Sequence, residues 1–554
     1  MIDRRIGLLF ASFLLLLCLA VGRAAWVQGV QGAGLSADAQ SQQTETVPVP
    51  GLRGSILDRK GNELAVSEDA VDVVATPYQV KNPDRLARRL APILDQSKED
   101  ILKALASGSS GFAYLAREVD LSAASKIRRL GLPGITTVPA SRRIYPEGKL
   151  AAQLIGTVGV DGQGLSGLEG ADNDLLAASN GEQQVVLDGL GKAIERNTLS
   201  PASDGERIRL TIDAAIQQRT EEVLAEVAQT YQPQGATAIV MNPRNAQVLA
   251  MANWPTFDPS DPTDADPEAL GNMATGFTYE PGSTFKAFTV AGALMEHLVT
   301  PQTVFDLPVE LQVADRTITD SHARGPVSLS VAQILAQSSN VGAAMIGLEV
   351  GGERFYKWIR RFGFGSPTGI DFPGEEQGIV LTPSEFSGST MGNLPIGQGL
   401  AVTPMQMAAG YAAIANGGIL RTPQLVLDED GTPVAEPPGH RIISEKAASQ
   451  VRTMLEGVLA PGGTASEVSV PGYTLAGKTG TAEVAEDGGY SETKFVASFV
   501  GFAPAQDPRL LVTVVVNQPQ GDIYGGTVAA PAFGEIAKFA LPYLHIAPDQ
   551  GSAG

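Results

Sequence analysis

Hydrophobic and polar positions divide the chain into an apolar start, a polar linker and two longer folded regions. Residues 6–22 carry no charge, and Arg4 and Arg5 precede them. A helix of this length spans about 25 Å, slightly less than a hydrocarbon core of roughly 30 Å, and apolar residues continue the run to Val27. We predict a short cytoplasmic tail and a transmembrane anchor over residues 1–27, with a cleaved signal peptide as the alternative.

The first folded region follows a linker at residues 28–50 that is rich in Gln, Ser, Gly and Thr. Residues 51–205 predict short strands and helices in alternation, including helices that begin after Asn82 and at Ser97. Nothing in this region pairs a nucleophile with a base or forms a phosphate loop. Taken alone, this pattern predicts a mixed α+β interaction module.

The second folded region, residues 206–546, contains strands from both of its ends with helices between them. This arrangement predicts one antiparallel sheet flanked by helices, so the fold class is α+β. Residues 547–554 are predicted to form a disordered tail. The predicted elements are a helix over 214–231, a hairpin of 236–241 and 247–252, strands over 495–502 and 510–517, and a closing helix over 530–544.

Composition excludes several classes of function. The net charge of −20, from 60 acidic and 40 basic residues, argues against a nucleic-acid partner, which needs a basic surface. The single cysteine, Cys18, lies in the apolar start, so no intramolecular disulfide can form. The histidines have no metal-ligand spacing, so no metal site is predicted, although His322 stays open as a triad member; they are His297, His322, His440 and His545.

Candidate chemistry begins at residues 279–286. The turn residues Pro281 and Gly282 place Ser283 at the start of a helix that is uncharged from 287 to 295. Ser283 and Lys286 are three residues apart and so share a helix face. A serine beside a lysine at the end of a buried helix is suited to acyl transfer without histidine.

The same spacing recurs at Ser491 and Lys494. That copy lies in a polar run, and we predict a loop there with no helix behind it. Spacing alone therefore does not identify a catalytic pair.

Two further motifs follow Ser283 along the chain. Ser338-Ser339-Asn340 follows an apolar helical run, a position in which it can simply be a helix cap. The segment 478–481, Lys-Thr-Gly-Thr, is predicted to lie on a strand with a glycine on either side of its only charge. Glycine in a strand often marks close approach of a ligand, although a strand edge beside a turn has the same appearance.

All three motifs in this order form the set found in β-lactamases and penicillin-binding proteins. The chain resembles the class B penicillin-binding proteins, most closely the FtsI-like, division-type peptidoglycan D,D-transpeptidases. Residues 53–59 and 164–169 resemble the pedestal motifs of that family, and residues 280–283 and 499–504 resemble the surroundings of its catalytic site. The resemblance implies a pedestal of the dimerisation type over 51–205 and a transpeptidase domain over 206–546.

The resemblance also implies roles for individual side chains. Ser283 would attack the carbonyl between the two terminal D-alanines of a stem peptide, and Lys286 would accept its proton if burial and a nearby Lys478 lower its pKa. Ser338 would pass the proton to the leaving amine. Asn340 would position Lys286 and a substrate amide.

Substrate binding is expected on the strand. Lys478, with Thr479, Gly480 and Thr481, would bind the terminal carboxylate, the group that a β-lactam imitates. The backbone N–H groups of Ser283 and Thr481 would form the oxyanion hole. The implied chemistry needs no metal and no organic cofactor.

The expected reaction is crosslinking of stem peptides during septal cell-wall synthesis, with β-lactams as covalent inhibitors. The alternatives are a D,D-carboxypeptidase, an elongation-type transpeptidase and, from another class, an inactive division scaffold. The expected partners are an FtsW-type glycan polymerase and other division proteins. Arg4 and Arg5 predict a single-pass protein of the cytoplasmic membrane with its catalytic domain on the extracytoplasmic side.

Overall fold

The computed structural model describes residues 2–34, 44–107, 111–187, 193–486 and 489–550. The chain divides into two compact units, each built from separate stretches of sequence. The first unit comprises Met1–Arg53, Glu68–Arg142 and Ala178–Gly205. The second comprises Gly54–Ser67, Arg143–Ala177 and Glu206–Gly554.

The apolar start of the chain forms one long helix, Ile2–Gly29. Its length, and the mean hydropathy of 2.3 in its most apolar 18-residue stretch, are sufficient for it to cross a membrane. Its large apolar side chains are exposed, among them Leu8, Phe10 and Leu15. The exposure of these apolar side chains fits a single-pass membrane anchor.

The rest of the first unit is α+β. Asn82 accepts a hydrogen bond from the Arg85 N–H at 3.0 Å, and Pro83 opens the helix, as the sequence predicts. Leu86, Leu90 and other apolar side chains form a small core between helices and strands. The helices are Pro83–Leu94, Lys98–Ser107 and Leu121–Arg129, and the strands are Thr44–Val49, Ala113–Asp120, Gly181–Leu187, Ala193–Ser200 and most of Glu63–Ala75 and Ile135–Ile144.

A five-stranded antiparallel sheet, the central sheet, organises the second unit. Its middle strand, Leu510–Asn517, is buried at every position, so both faces of the sheet are covered. The helices Ala530–Tyr543 and Pro404–Ala415 both pack on this strand. In spatial order the strands are Gln247–Trp254, Gly235–Asn242, Leu510–Asn517, Gly489–Ala503 and Ala476–Glu486.

Helices and short strands surround the central sheet. The helices of four or more residues are Ala152–Ile155, Gly167–Ala171, Asn173–Leu176, Ala214–Tyr231, Pro267–Leu270, Met273–Gly276, Lys286–Met295, Val331–Ala336, Asn340–Val350, Gly352–Arg361, Thr390–Asn393, Pro404–Ala415, Glu445–Glu456, Gly525–Val528 and Ala530–Tyr543. The short strands are Ile56–Leu57, Ile208–Leu210, Val304–Leu307, Glu310–Val313, Arg316–Thr319, Val327–Ser330, Ile419–Leu420, Val426–Glu429, Thr432–Pro433 and His440–Arg441.

The predicted α+β class and the predicted sheet are confirmed. The hairpin, the two β-branched strands and the closing helix all form, and the helix Ala214–Tyr231 has the predicted bounds. The exact division into pedestal and transpeptidase domains stays a prediction.

Two predictions about local structure are wrong. Ser491 and Lys494 lie within the strand Gly489–Ala503, not in a loop, at an irregularity between Tyr490 and Phe495, which both pair with the neighbouring strand Ala476–Glu486. The tail is ordered as far as the structure describes it, to residue 550: the Asp549 carboxylate accepts the Thr474 N–H at 2.8 Å.

Candidate active site

Ser283 lies in a tight turn, Gly282–Phe285, that leads directly into the helix Lys286–Met295. Gly282 has φ +53° and donates its N–H to the Gly397 carbonyl at 3.0 Å. A Cβ at Gly397 would lie 2.1 Å from the Gly282 oxygen, so both positions need glycine. Ser283 is half-buried, while Thr284 and Phe285 after it are buried. The turn therefore leaves the serine accessible on a rigid base.

Lys286 is 1% exposed, and its ammonium nitrogen connects two of the predicted motifs. Nζ donates to the Ser338 carbonyl at 2.6 Å, to Ser338 Oγ at 3.2 Å and to Asn340 Oδ1 at 2.7 Å. Burial lowers the pKa of Lys286 to about 7, against a smaller opposing effect of the Asp320 charge. Lys286 therefore exchanges protons near neutral pH and has a hydroxyl within reach.

The segment Ser338-Ser339-Asn340 joins the helices Val331–Ala336 and Asn340–Val350. Ser338 has φ +59°, an uncommon conformation for a residue other than glycine, and it directs both its carbonyl and its hydroxyl at Lys286. Ser339 caps the second helix by accepting the Gly342 N–H at 3.0 Å. In this strained turn, Ser338 therefore contacts Lys286, and the next residue, Ser339, caps the helix Asn340–Val350.

Asp320 holds this turn in place, and sequence reasoning missed it. Its carboxylate accepts hydrogen bonds from Ser339 Oγ at 2.9 and 3.0 Å and from the Val341 N–H at 3.0 Å, and it pairs with Arg324 at 2.6 Å. Although burial alone raises the pKa of Asp320, these donors hold it below its ordinary value. The carboxylate is therefore charged at neutral pH.

Lys478 lies on the edge strand of the central sheet, Ala476–Glu486, and is fully buried. Burial, and next the positive charge of Lys286, place its pKa well below the usual range. Its Nζ donates to the Thr479 carbonyl and hydroxyl at 3.3 Å each. The charge of Lys286 therefore disfavours a second ammonium at Lys478.

The strand runs directly against the serine turn. A Cβ at Gly480 would lie 2.3 Å from Ser498 Oγ and 3.0 Å from the Pro281 oxygen, and a Cβ at Gly282 would lie 3.1 Å from the Thr481 oxygen. Glycine at position 480 therefore permits the contact between strand and turn, which is the close approach that its place in the sequence indicates.

The two threonines of the strand are oriented by neighbours outside the motifs. Thr479 Oγ1 lies 2.7 Å from Thr464 Oγ1, and Thr481 Oγ1 accepts the Gly525 N–H at 3.0 Å. Thr464 and Gly525 were not predicted, because a single threonine or glycine carries no spacing signal.

The structure thus brings the three predicted motifs together. It keeps the second Ser-x-x-Lys copy apart: Ser491 Oγ accepts the Lys494 N–H at 3.3 Å, and Lys494 pairs with Glu486 at 2.8 Å. His322 lies beside Tyr524, with ring centroids 6.2 Å apart. Within the described ranges, no three His, Cys, Asp or Glu side chains are grouped as a metal site requires.

Comparison with protein families assigns both folded regions. Residues 236–538 match the penicillin-binding protein transpeptidase domain, and residues 48–210 match the penicillin-binding protein dimerisation domain. The fold and the motifs therefore define a penicillin-binding transpeptidase carrying a dimerisation-type domain.

Similarity to individual proteins shows to which class of penicillin-binding protein the chain belongs. The chain is 36% identical to stage V sporulation protein D of Bacillus subtilis over 95% of this chain and 83% of the relative. It is 33% identical to the peptidoglycan D,D-transpeptidase FtsI of Escherichia coli over 100% of this chain and 94% of the relative. A crystal structure of penicillin-binding protein 3 of Mycobacterium tuberculosis complexed with aztreonam superposes with a TM-score of 0.71 at 29% identity, covering 90% of this chain and 98% of the other. The chain belongs to the class B penicillin-binding proteins.

Proposed function

We propose that this protein is a D,D-transpeptidase that crosslinks peptidoglycan stem peptides through an acyl-enzyme on Ser283, during septal cell-wall synthesis, and that β-lactams inhibit it. The observation that carries the proposal is the contact of buried Lys286 with Ser338 Oγ and Asn340 Oδ1 beside the serine turn. The membership of the chain in the class B family supports the same chemistry.

Acylation starts with transfer of the Ser283 hydroxyl proton to neutral Lys286. A pKa of about 7 leaves about half of the lysine in this form at neutral pH. Ser283 Oγ then bonds to the carbonyl carbon of the penultimate D-alanine, and the N–H groups of Ser283 and Thr481 stabilise the oxyanion. The C–N bond breaks, and the proton returns from Lys286 through Ser338 to the nitrogen of the departing D-alanine.

Lys478, Thr479 and Thr481 bind the terminal carboxylate of the substrate. An isolated buried ammonium is unfavourable, which explains the lowered pKa of Lys478. A carboxylate that enters the site stabilises the charged form, so binding is coupled to protonation of Lys478. Gly480 keeps the strand close to the serine turn, so that the carboxylate and the scissile carbonyl are held together.

Asp320 acts as a positioning residue in this scheme, and Asp320→Asn tests that role. The negative charge of Asp320 raises the pKa of Lys286, so its removal is expected to lower that pKa and shift the acid limb of the acylation rate profile to lower pH. Asparagine also replaces one acceptor oxygen by a donor, which should cost about 1 to 3 kcal/mol of stability. The measurements are the pH dependence of acylation by a fluorescent penicillin and the unfolding midpoint.

The matched control is Asp315→Asn, an exposed carboxylate at the hairpin turn a few residues earlier. It is expected to leave both measurements unchanged. An Asp320→Asn protein whose pH profile moved to higher pH, or did not move, would contradict the role of this carboxylate.

The fate of the acyl group separates transpeptidation from D,D-carboxypeptidation. In the proposed reaction, an amine on a neighbouring stem peptide attacks the Ser283 ester and forms the crosslink. Incubation with a donor pentapeptide and a D-amino acid acceptor should therefore yield exchanged peptide. Release of tetrapeptide alone, with no exchanged product, would favour the carboxypeptidase alternative.

The septal role rests on the similarity to FtsI over nearly the whole of both chains. In this proposal, Arg4 and Arg5 stay in the cytoplasm, the catalytic unit lies outside the membrane, and an FtsW-type glycan polymerase is the partner. The similarity to stage V sporulation protein D favours a second candidate, the same chemistry during sporulation. A tagged copy in vegetative cells should concentrate at the septum; an even distribution along the side wall would contradict the division role.

A further inference from the structure

A cavity of about 300 Å³ in the second unit contains none of the motif residues and has no part in the scheme above. The end of the helix Gly352–Arg361 and the loop after it form part of its lining, and the rest comes from the helix Pro404–Ala415 and from residues 420–440. Phe362, in that loop, packs on Phe288 of the helix that follows Ser283, with ring centroids 4.8 Å apart. The cavity is therefore built on the core of the unit.

The lining of this cavity is basic, although the chain as a whole carries a net charge of −20. Arg360, Arg361, Arg421 and His440 line it, and no aspartate or glutamate does so among the described residues. In the part of the chain that the structure describes, none of the three arginines forms an ion pair with a carboxylate. Their positive charges are therefore left without a compensating group of the protein.

Neutral acceptors orient two of these guanidinium groups. Arg360 donates to the Phe364 carbonyl at 3.0 Å and to the Gly365 carbonyl at 2.6 Å. Arg421 donates to the Pro437 carbonyl at 3.1 Å, and its Nε is buried with no hydrogen-bond partner among the described residues. A carbonyl fixes the direction of a guanidinium without cancelling its charge, and a buried donor without an acceptor is unfavourable. An anion in the cavity would therefore meet positive charge that is already held in place.

The helix dipole accounts for only part of this basic cluster. Arg360 and Arg361 occupy the last turn of their helix, where the negative end of the dipole favours cations. Arg421 and His440 belong to another segment: His440 begins one strand of a two-stranded pair, and Arg421 directly follows the other. Because two separate segments direct basic residues to one cavity, the arrangement indicates an anionic ligand.

The number of cations favours an anion with more than one charge. A phosphate monoester carries a charge of about −1.5 to −2 at pH 7, and guanidinium groups bind phosphate oxygens through paired hydrogen bonds. A carboxylate carries a single charge and compensates the cluster less. The volume of about 300 Å³ is at the lower end for small-molecule sites, so the cavity has room for a phosphate with a small organic group.

We propose that this cavity binds a small phosphate monoester. Its phosphate oxygens pair with Arg361 and Arg421, and Arg360 adds a third positive charge. The ligand thereby connects the loop after the helix Gly352–Arg361 to the two-stranded pair. This site goes beyond the proposed acyl transfer and does not depend on it.

The test is calorimetric titration of the full-length protein in detergent, at constant ionic strength, with sn-glycerol 3-phosphate as the probe. Saturable binding is expected, whereas glycerol and acetate should give none. Arg361→Gln and Arg421→Gln should each weaken the binding by about tenfold or more, because each removes a charge-assisted hydrogen bond to the phosphate. Arg361→Gln leaves the hydrogen bond of Arg421 to Pro437 intact, so it tests the site without loosening that segment.

The matched control for Arg361 is Arg129, an exposed arginine at the last position of the helix Leu121–Arg129. Arg129→Gln should bind glycerol 3-phosphate as tightly as the wild type. Wild-type protein that does not bind it, or that binds acetate equally well, overturns the proposal. Binding that is unchanged in both cavity variants, or that is lost in Arg129→Gln, overturns it as well.

Short-chain phosphatidic acid, mixed into the detergent micelles, presents the same phosphate group on a lipid. Binding to this lipid alone, with none to glycerol 3-phosphate, would contradict a small soluble ligand. Fluorescent penicillin labelling of the same preparations shows whether the variants are folded and separates the two proposals. A protein that binds glycerol 3-phosphate but is not labelled contradicts the proposed function and leaves the phosphate site supported.

Discussion

Ser283→Ala is expected to abolish covalent labelling by a fluorescent penicillin and to reduce transpeptidation by about 10⁴-fold or more. In the proposed reaction Ser283 supplies the oxygen of the ester, and loss of a serine nucleophile has effects of this size or larger in other serine enzymes. The change removes one half-exposed hydroxyl, while Gly282 and Gly397 still hold the turn. The measurements are gel fluorescence after incubation with the penicillin and the amount of crosslinked product.

The chain supplies a matched control in Ser491, which has the same spacing to a lysine but lies on a strand. Ser491→Ala should label as strongly as the wild type. An adduct that persists in Ser283→Ala, or that is lost in Ser491→Ala with the fold intact, would contradict the assignment of the nucleophile.

Lys286→Met is expected to reduce acylation by roughly 10³- to 10⁴-fold, because it removes the group that accepts the serine proton. In the proposed reaction only the neutral amine accepts that proton. Since the pKa of Lys286 is about 7, the acylation rate at saturating penicillin should fall about tenfold per pH unit well below that pH. The measurement is the rate of penicillin acylation across this range.

Lys494→Met serves as the control, since this lysine is half exposed and pairs with Glu486. It should retain the wild-type rate and pH profile. A wild-type rate that is the same on both sides of the Lys286 pKa would contradict a role for this lysine as the base.

The parts of the site that could be predicted from sequence are those with a fixed spacing or a fixed order. Ser283 and Lys286 are recognisable because a helix brings positions three apart together. Ser338 and Lys478 can be recognised only from their order along the chain, since nothing local shows that they lie near Lys286. For the Ser338 motif, the structure shows the contact directly, as hydrogen bonds of Lys286 to Ser338 and Asn340.

The supporting residues could not be predicted in this way. Asp320 lies in a polar stretch 19 residues before Ser339 in sequence, and its carboxylate reaches the turn only in the folded chain, where it follows the strand Arg316–Thr319. Thr464 reaches Thr479 across a loop. Each depends on a tertiary contact with no counterpart in local spacing.

For the fold, hydrophobic alternation predicts the buried strands better than the polar ones. Leu510–Asn517 and the paired strand at residues 236–241 are β-branched or apolar and are confirmed. The stretch around Ser491 is polar, which predicts a loop, yet the backbone pairs with the neighbouring strand on both sides of it, at Tyr490 and at Phe495. Pairing of main-chain groups at a sheet edge does not require apolar side chains.

The position of Leu510–Asn517 in the middle of the central sheet determines when the proposed active site can first form. A chain synthesised from its N-terminus contains Ser283 long before this strand exists, and the hairpin Gly235–Asn242 and Gln247–Trp254 has no partner until it arrives. The strand that carries Lys478, Ala476–Glu486, also depends on Leu510–Asn517, because Gly489–Ala503 lies between them and pairs with both. Non-local pairing of this kind forms late, so a nascent or C-terminally shortened chain is expected to carry Ser283 without the assembled site. We therefore expect reactivity toward acyl donors only once synthesis is nearly complete.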